Sequence, residues 1–165
     1  MGREQREQIV MAHIEAENRG DVAATVATFA TPRYEVVPTG EVHDGVDAVT
    51  RFLAETTYVF PDMKIALDAL HHADDAVIVE VTFAGTQRRS WRGLPATRRR
   101  VTYRMCNAFL FDRDRLRCER LYFDMLTAMR GLGIARDPTT AAGRISVAVN
   151  HPLTLLGAAL GSLRR

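Results

Sequence analysis

Lysine is almost missing from this chain. Of 22 Lys and Arg residues only Lys64 is a lysine, so arginine carries the positive charge. Against 20 acidic residues the net charge is only +2, too little for a protein built to capture nucleic acid. The run Arg98, Arg99, Arg100 has no interleaved aromatics and reads as solvated arginines at a strand start. Only two cysteines occur, Cys106 and Cys118, which do not make a disulfide framework. HExxH, CxxC and helically spaced histidine pairs are missing, so no metal is expected. A glycine-rich phosphate loop is missing too, and Ser90 has no nucleophile elbow around it. No apolar run reaches the length of a membrane span. The opening MGREQREQ lacks the apolar core of a secretion signal. A cytoplasmic protein with reduced thiols and no membrane association is therefore expected.

What is present is an ordinary globular composition, 47% hydrophobic and 25% charged over 165 residues. That is enough for one self-sufficient core. Ile9, Ala12, His13 and Ala16 recur at helical spacing in a first helix over 3–18. Gly20 stops it, and Asp21 caps a second helix over 22–29. An extended segment, TPRYEVVPTG, follows. A third helix then carries Val46, Val49, Phe52 and Leu53 on one side and stops before Pro61. From there the period changes to two. DMKIALDAL and DAVIVEVTFAGT flank a turn at HHADD, and RRRVTYRMCNAFLFD turns at RDR into LRCERLYFD. A short helix over 125–130 ends at Gly131 or Gly133. Helices followed by a meander of strands predict an α+β fold with helices segregated to one face of the sheet. Residues 1–134 form the body. Residues 135–165, rich in small residues and broken by Pro138 and Pro152, read as a helical extension packed on the body or on a partner subunit.

A tight two-residue turn at Arg113 and Asp114 would pair Phe111 with Leu116, Phe109 with Cys118, Asn107 with Arg120, Met105 with Tyr122, and Tyr103 with Asp124. One sheet face then mixes Met105, Phe109 and Phe111 with Tyr103, Asn107, Arg120, Tyr122 and Asp124, as a small-molecule pocket requires. A bulge anywhere in the hairpin would shift this register. Asp124 has two readings. It is a good N-cap for the helix that follows, or it is a carboxylate desolvated in an apolar pocket and so raised towards a useful pKa.

The stretches NRGD, GVDAVTRFLAETTYVFPDMKI, FAGTQRRSWRGLPATRRRVTYR and FDRDRLRCERLYFDMLTAMRGLG resemble the SnoaL-like polyketide cyclase and ester cyclase family, within the nuclear transport factor 2-like superfamily. The resemblance covers residues 5–134. It implies a cone in which a curved antiparallel sheet wraps around three N-terminal helices and encloses an apolar pocket. It also implies a cofactor-independent enzyme, a cyclase or isomerase. A final-strand aspartate, matching Asp124, would deprotonate a carbon flanked by carbonyls in a small hydrophobic, polyketide-like substrate. Tyr103, Met105, Asn107, Phe109, Arg120, Tyr122, Trp91 and His13 are the expected substrate contacts, and a homodimer is the expected assembly. Several features depart from the family pattern, among them Tyr34, Glu35, Val36 and Val37 after the second helix, where Asp or His is common. Residues 98–112 contain no histidine to partner the aspartate, and Thr97, Arg98, Arg99 stand where a TGR turn is common. The alternatives are a pocket-bearing binding or accessory protein, or an epoxide or ester hydrolase with an Asp124-activated water.

Overall fold

The computed structural model describes residues 2–162, so the last three residues of the extension lie outside it. Three helices open the chain: α1 (Arg3–Arg19), α2 (Val22–Ala27) and, after an intervening hairpin, α3 (Val46–Val59). That hairpin, β1 (Arg33–Val36) and β2 (Glu41–Asp44), occupies the extended segment. Next come β3 (Lys64–His72), β4 (Ala76–Thr86), β5 (Arg100–Asp112), β6 (Arg115–Phe123) and a short α4 (Met125–Gly131). The sheet runs β2-β1-β6-β5-β4-β3 and is antiparallel except where β1 lies parallel to β6. It is curved and does not close. This is the α+β architecture expected, with the helices on the concave face.

The core follows from the two periodicities. Along β4, Val77, Val79, Val81 and Phe83 are buried at every second position. On α1 the buried set is Val10, His13, Ile14, Ala16 and Glu17, one helical stripe that includes two ionisable side chains. Val49 and Leu53 of α3 meet the same cluster. The extension contains α5 (Ala141–Asn150) and α6 (Pro152–Ser162), bent by 99° at Pro152. Within it α5 buries only Gly143, and α6 buries no residue. No single helix among the described residues is long and apolar enough to cross a membrane.

The β5–β6 register differs from the one expected. Phe111 does pair with Leu116, but Leu110 then pairs with Cys118, leaving Arg117 as an extra, exposed residue. Every later pair shifts by one: Phe109 with Glu119, Asn107 with Leu121, and Met105 with Phe123. Because side chains alternate, the slip turns Glu119, Leu121 and Phe123 inward and Arg120, Tyr122 and Asp124 outward. The inward set of β5, Tyr103, Met105, Asn107 and Phe109, stays as expected.

The bulge is open to a direct test. Deleting Arg117 removes the bulge but leaves Leu110 opposite Cys118 and Phe109 opposite Glu119, so Glu119 and Leu121 stay inward and cooperative thermal unfolding is expected to survive; were Arg117 a paired residue, the deletion would reverse every later side chain and abolish it. Arg117→Ala keeps the register and is expected to change stability by no more than about 0.5 kcal/mol.

Candidate functional site

The concave face of the sheet and the helices enclose a cavity of about 130 Å³. Its walls are mostly apolar and include six aromatic rings, those of Phe52, Phe60, Phe83, Tyr103, Phe123 and Trp91. Tyr103 packs between Phe83, at 5.0 Å, and Phe123, at 5.4 Å. The floor is polar. Glu17, Tyr34, Asn107 and Glu119 all reach the lining.

Three elements converge there. His13 and Glu17 are one turn apart on the inner stripe of α1, and so share a face. Tyr34 of β1 is the parallel neighbour of Glu119 on β6, and Phe109 is the antiparallel neighbour on the other side. All three sheet residues point inward beneath α1. His13 and Tyr34 are 0% and 1% exposed, and Glu119 is 1% exposed.

Hydrogen-bond counting sets the charge state of His13. The Thr28 hydroxyl donates to the Thr25 carbonyl at 2.7 Å, so it accepts from His13 Nδ1, also at 2.7 Å. The Tyr34 hydroxyl donates to Glu17 Oε1 at 2.9 Å, so it accepts from His13 Nε2 at 2.7 Å. An imidazole that donates from both nitrogens is an imidazolium. Electrostatics agree. Burial alone would lower the His13 pKa, but the Glu17 and Glu119 carboxylates outweigh it and lift it to about 10. Glu119 Oε2 lies 3.1 Å from Nε2, and Glu119 Oε1 accepts from Asn107 Nδ2 at 2.9 Å.

Glu119 is itself pushed above the ordinary carboxylate range. Burial is the main cause and the charge of Glu17 adds to it, while His13 and Tyr34 act in opposition. Burial likewise raises the Tyr103 phenol, which stays protonated and makes no hydrogen bond among the described residues. His13, Glu17 and Glu119 bring ligand atoms within 4.8 Å of one another, close enough to surround a cation. A metal would have to displace the proton that Nε2 gives to Tyr34. His13 thus supplies the positive charge the two carboxylates require.

The structure divides the expected contacts. Tyr103, Met105, Asn107 and Trp91 line the cavity. His13 and Phe109 lie one layer behind it, fully buried and edge to face at 5.3 Å. Arg120 and Tyr122 are corrections, because the bulge at Arg117 turns both to the outer face. Arg120 is held there by Glu35, and Tyr122 is 42% exposed. Asp124 is the main correction. Its carboxylate is exposed, caps α4 by accepting from Leu126 N at 2.9 Å, and takes a second bond from the Thr127 hydroxyl. That hydroxyl, more than anything else, holds its pKa below the usual range. It is not in the apolar hollow expected for it.

Glu17, Tyr34 and Glu119 escaped the sequence reading. Glu17 carried a signal, since it lies four residues from His13 on a face otherwise apolar. Glu119 was hidden by the bulge, which places it inward although simple alternation from the turn puts it out.

Two outcomes check this site. Because His13 is raised in the folded state, the stability it contributes is complete below the unfolded value of about 6.5 and is lost as pH rises through about 10. The melting temperature should fall across that window, and imidazole nitrogen NMR should show both His13 nitrogens protonated at pH 8. Separately, Asp124→Asn is expected to melt like the parent, since asparagine caps as well as aspartate, whereas Asp124→Ala should cost about 1 kcal/mol. Thermal denaturation reads both.

The comparisons with known proteins agree with this geometry. The family model for SnoaL-like polyketide cyclase matches residues 7–132. AclR from Streptomyces galilaeus superposes with a TM-score of 0.71 at 17% identity, over 82% of this chain and 89% of that one. TsrD from Streptomyces laurentii gives 0.70 at 24% identity, over 81% and 98%. A nuclear transport factor 2-like protein of Burkholderia pseudomallei K96243 gives 0.66 at 20% identity, over 80% and 98%. At these identities the likeness speaks for the fold alone. No curated protein matches. With the inward face, the enclosed cavity and a family match over most of its length, this chain belongs to the SnoaL-like polyketide cyclase family.

Proposed function

We propose that the protein is a cofactor-independent acid/base catalyst for a small, hydrophobic, carbonyl-bearing substrate of polyketide type, and that Glu119 rather than Asp124 carries the proton. The observation behind this reading is a buried carboxyl of raised pKa lining an aromatic cavity that also holds the unpartnered phenol of Tyr103. A raised carboxyl pKa is what general acid/base exchange near neutrality requires. Asp124 has the opposite shift and faces the wrong way.

Each group then has a role. Aromatic walls take up the reacting end of the substrate. The Tyr103 O–H donates to the carbonyl oxygen and stabilises the negative charge that develops there. Glu119, as carboxylate, removes a proton from the carbon beside that carbonyl and becomes neutral. The enolate carbon attacks a second carbonyl of the same molecule, forming the ring bond and an alkoxide. Glu119 returns its proton to the alkoxide, so no oxidant, reductant or leaving group is involved. His13 and Asn107 are positioning residues, fixing Glu119 through its two oxygens. Glu17 and Tyr34 keep His13 charged.

Deuterium uptake at the methyl group of acetophenone in D₂O, followed by proton NMR, isolates the first step in a ligand of one ring. The parent protein is expected to accelerate exchange, with a rate that rises through a single ionisation above pH 4.5. Glu119→Gln should lose about 10²–10⁴-fold of that acceleration, and Asp124→Asn should retain it. Exchange lost in Asp124→Asn but kept in Glu119→Gln would return the role to Asp124. No exchange at any pH would leave a binding protein.

A further inference from the structure

The segment joining β4 to β5 has a composition unlike the rest of the chain. Between Gln87 and Val101 stand Arg88, Arg89, Arg92, Arg98, Arg99 and Arg100, with no aspartate or glutamate among them. The segment is a built structure. Gln87, fully buried at its base, accepts from Thr97 N at 3.2 Å and from the Thr97 hydroxyl at 2.7 Å, and donates to the Pro95 carbonyl at 3.3 Å. Trp91 and Leu94 exchange backbone hydrogen bonds of 2.9 and 2.8 Å across the tip. The tip is tight enough that Arg92 and Gly93 take φ of 51° and 80°.

This loop belongs to the cavity mouth. Trp91 and Arg92 line the cavity. The Arg89 guanidinium lies 5.4 Å over the ring of Tyr58, an exposed residue of α3. Arg99 lies against Gly133, next to the lining residue Leu132. Arg92 is paired with Glu41, and Arg100 with Asp62 at 3.3 Å. For Arg88, Arg89, Arg98 and Arg99 no carboxylate lies within ion-pair distance among the described residues.

Cavity size supplies the other half of the argument. A hollow of about 130 Å³ is close to one that holds benzene. It admits one ring of a substrate, so the remainder would extend out of it, on the side where Trp91 and Arg92 bring the loop to the lining. The guanidinium fork matches phosphate oxygens two at a time and needs little reorganisation to do so.

We propose that residues 88–100 bind the phosphate-bearing handle of a conjugated substrate, whose hydrophobic carbonyl end enters the cavity. The cavity half rests on the function proposed above; the loop half stands on its own and is tested on its own. The chain's one tryptophan, Trp91, sits inside the loop and reports on it.

Inorganic pyrophosphate is titrated into the full chain at low ionic strength while Trp91 emission is followed. A saturable change complete by about 10 mM is expected, weakened when salt is raised from about 0.15 M to 1 M. Combining Arg88→Gln, Arg98→Gln and Arg99→Gln should weaken binding at least about tenfold with an unchanged melting temperature. Arg98→Gln alone, expected to give a smaller loss, serves if the triple variant fails to fold. The inference is overturned by a signal that does not saturate, or by variants that bind as tightly as the parent. Because Glu119 does not enter this test, failed pyrophosphate binding leaves the cavity chemistry standing, and failed proton exchange leaves the loop site standing.

Discussion

One interaction orders the interior: an imidazolium held between two buried carboxylates. His13 comes from α1, Glu119 from β6 and Tyr34 from β1, so a single charged cluster ties the first helix to two strands that meet in parallel. A lone buried charge would be very unfavourable, and the cluster is tolerable because each charge faces its opposite. Removing one member strands the others. Truncating one partner of such a set commonly destabilises by about 3–5 kcal/mol. The cavity floor and the stability of the fold therefore depend on the same side chains, and the site cannot be redesigned without repaying that loss elsewhere.

The fold was largely legible in the sequence because it rests on periodicity. Alternation in β4 and the helical stripe of α1 are local patterns, and both are met in the structure. The inward face of β5 followed from the same alternation. The site was legible on one strand and not on its neighbour. Tyr103, Met105 and Asn107 line the hollow as their spacing implied, while the β6 residues reverse at Arg117. Nothing in RLRCERLYFD marks that residue as unpaired, since Arg117 and Arg115 are equally suited to an exposed edge. The parallel contact of β1 with β6, which brings Tyr34 to Glu119, is a tertiary event with no local signal.

Family membership and site chemistry rest on different grounds. Membership follows from the family match over residues 7–132 and from the shared architecture. The chemistry follows from the polar floor, where burial raises one carboxyl and a fixed imidazolium limits how far it rises. Outside, Asp124 is drawn the other way by a hydroxyl and by the amide at the start of α4. Two acids five residues apart in the chain are thus tuned in opposite directions by which side of one sheet they occupy.

The unpaired Arg117 bears on how this chain is compared with its relatives. Sequence alignment scores residues by order and cannot sense that a strand has gained half a turn of its pleat. An aspartate matched at the end of the last strand in two chains occupies the same spot only if both carry, or both lack, the same insertion in the hairpin before it. Here the inward acid, Glu119, lies upstream of Asp124, and a catalytic assignment placed on the aspartate that ends the last strand would land on an exposed carboxylate.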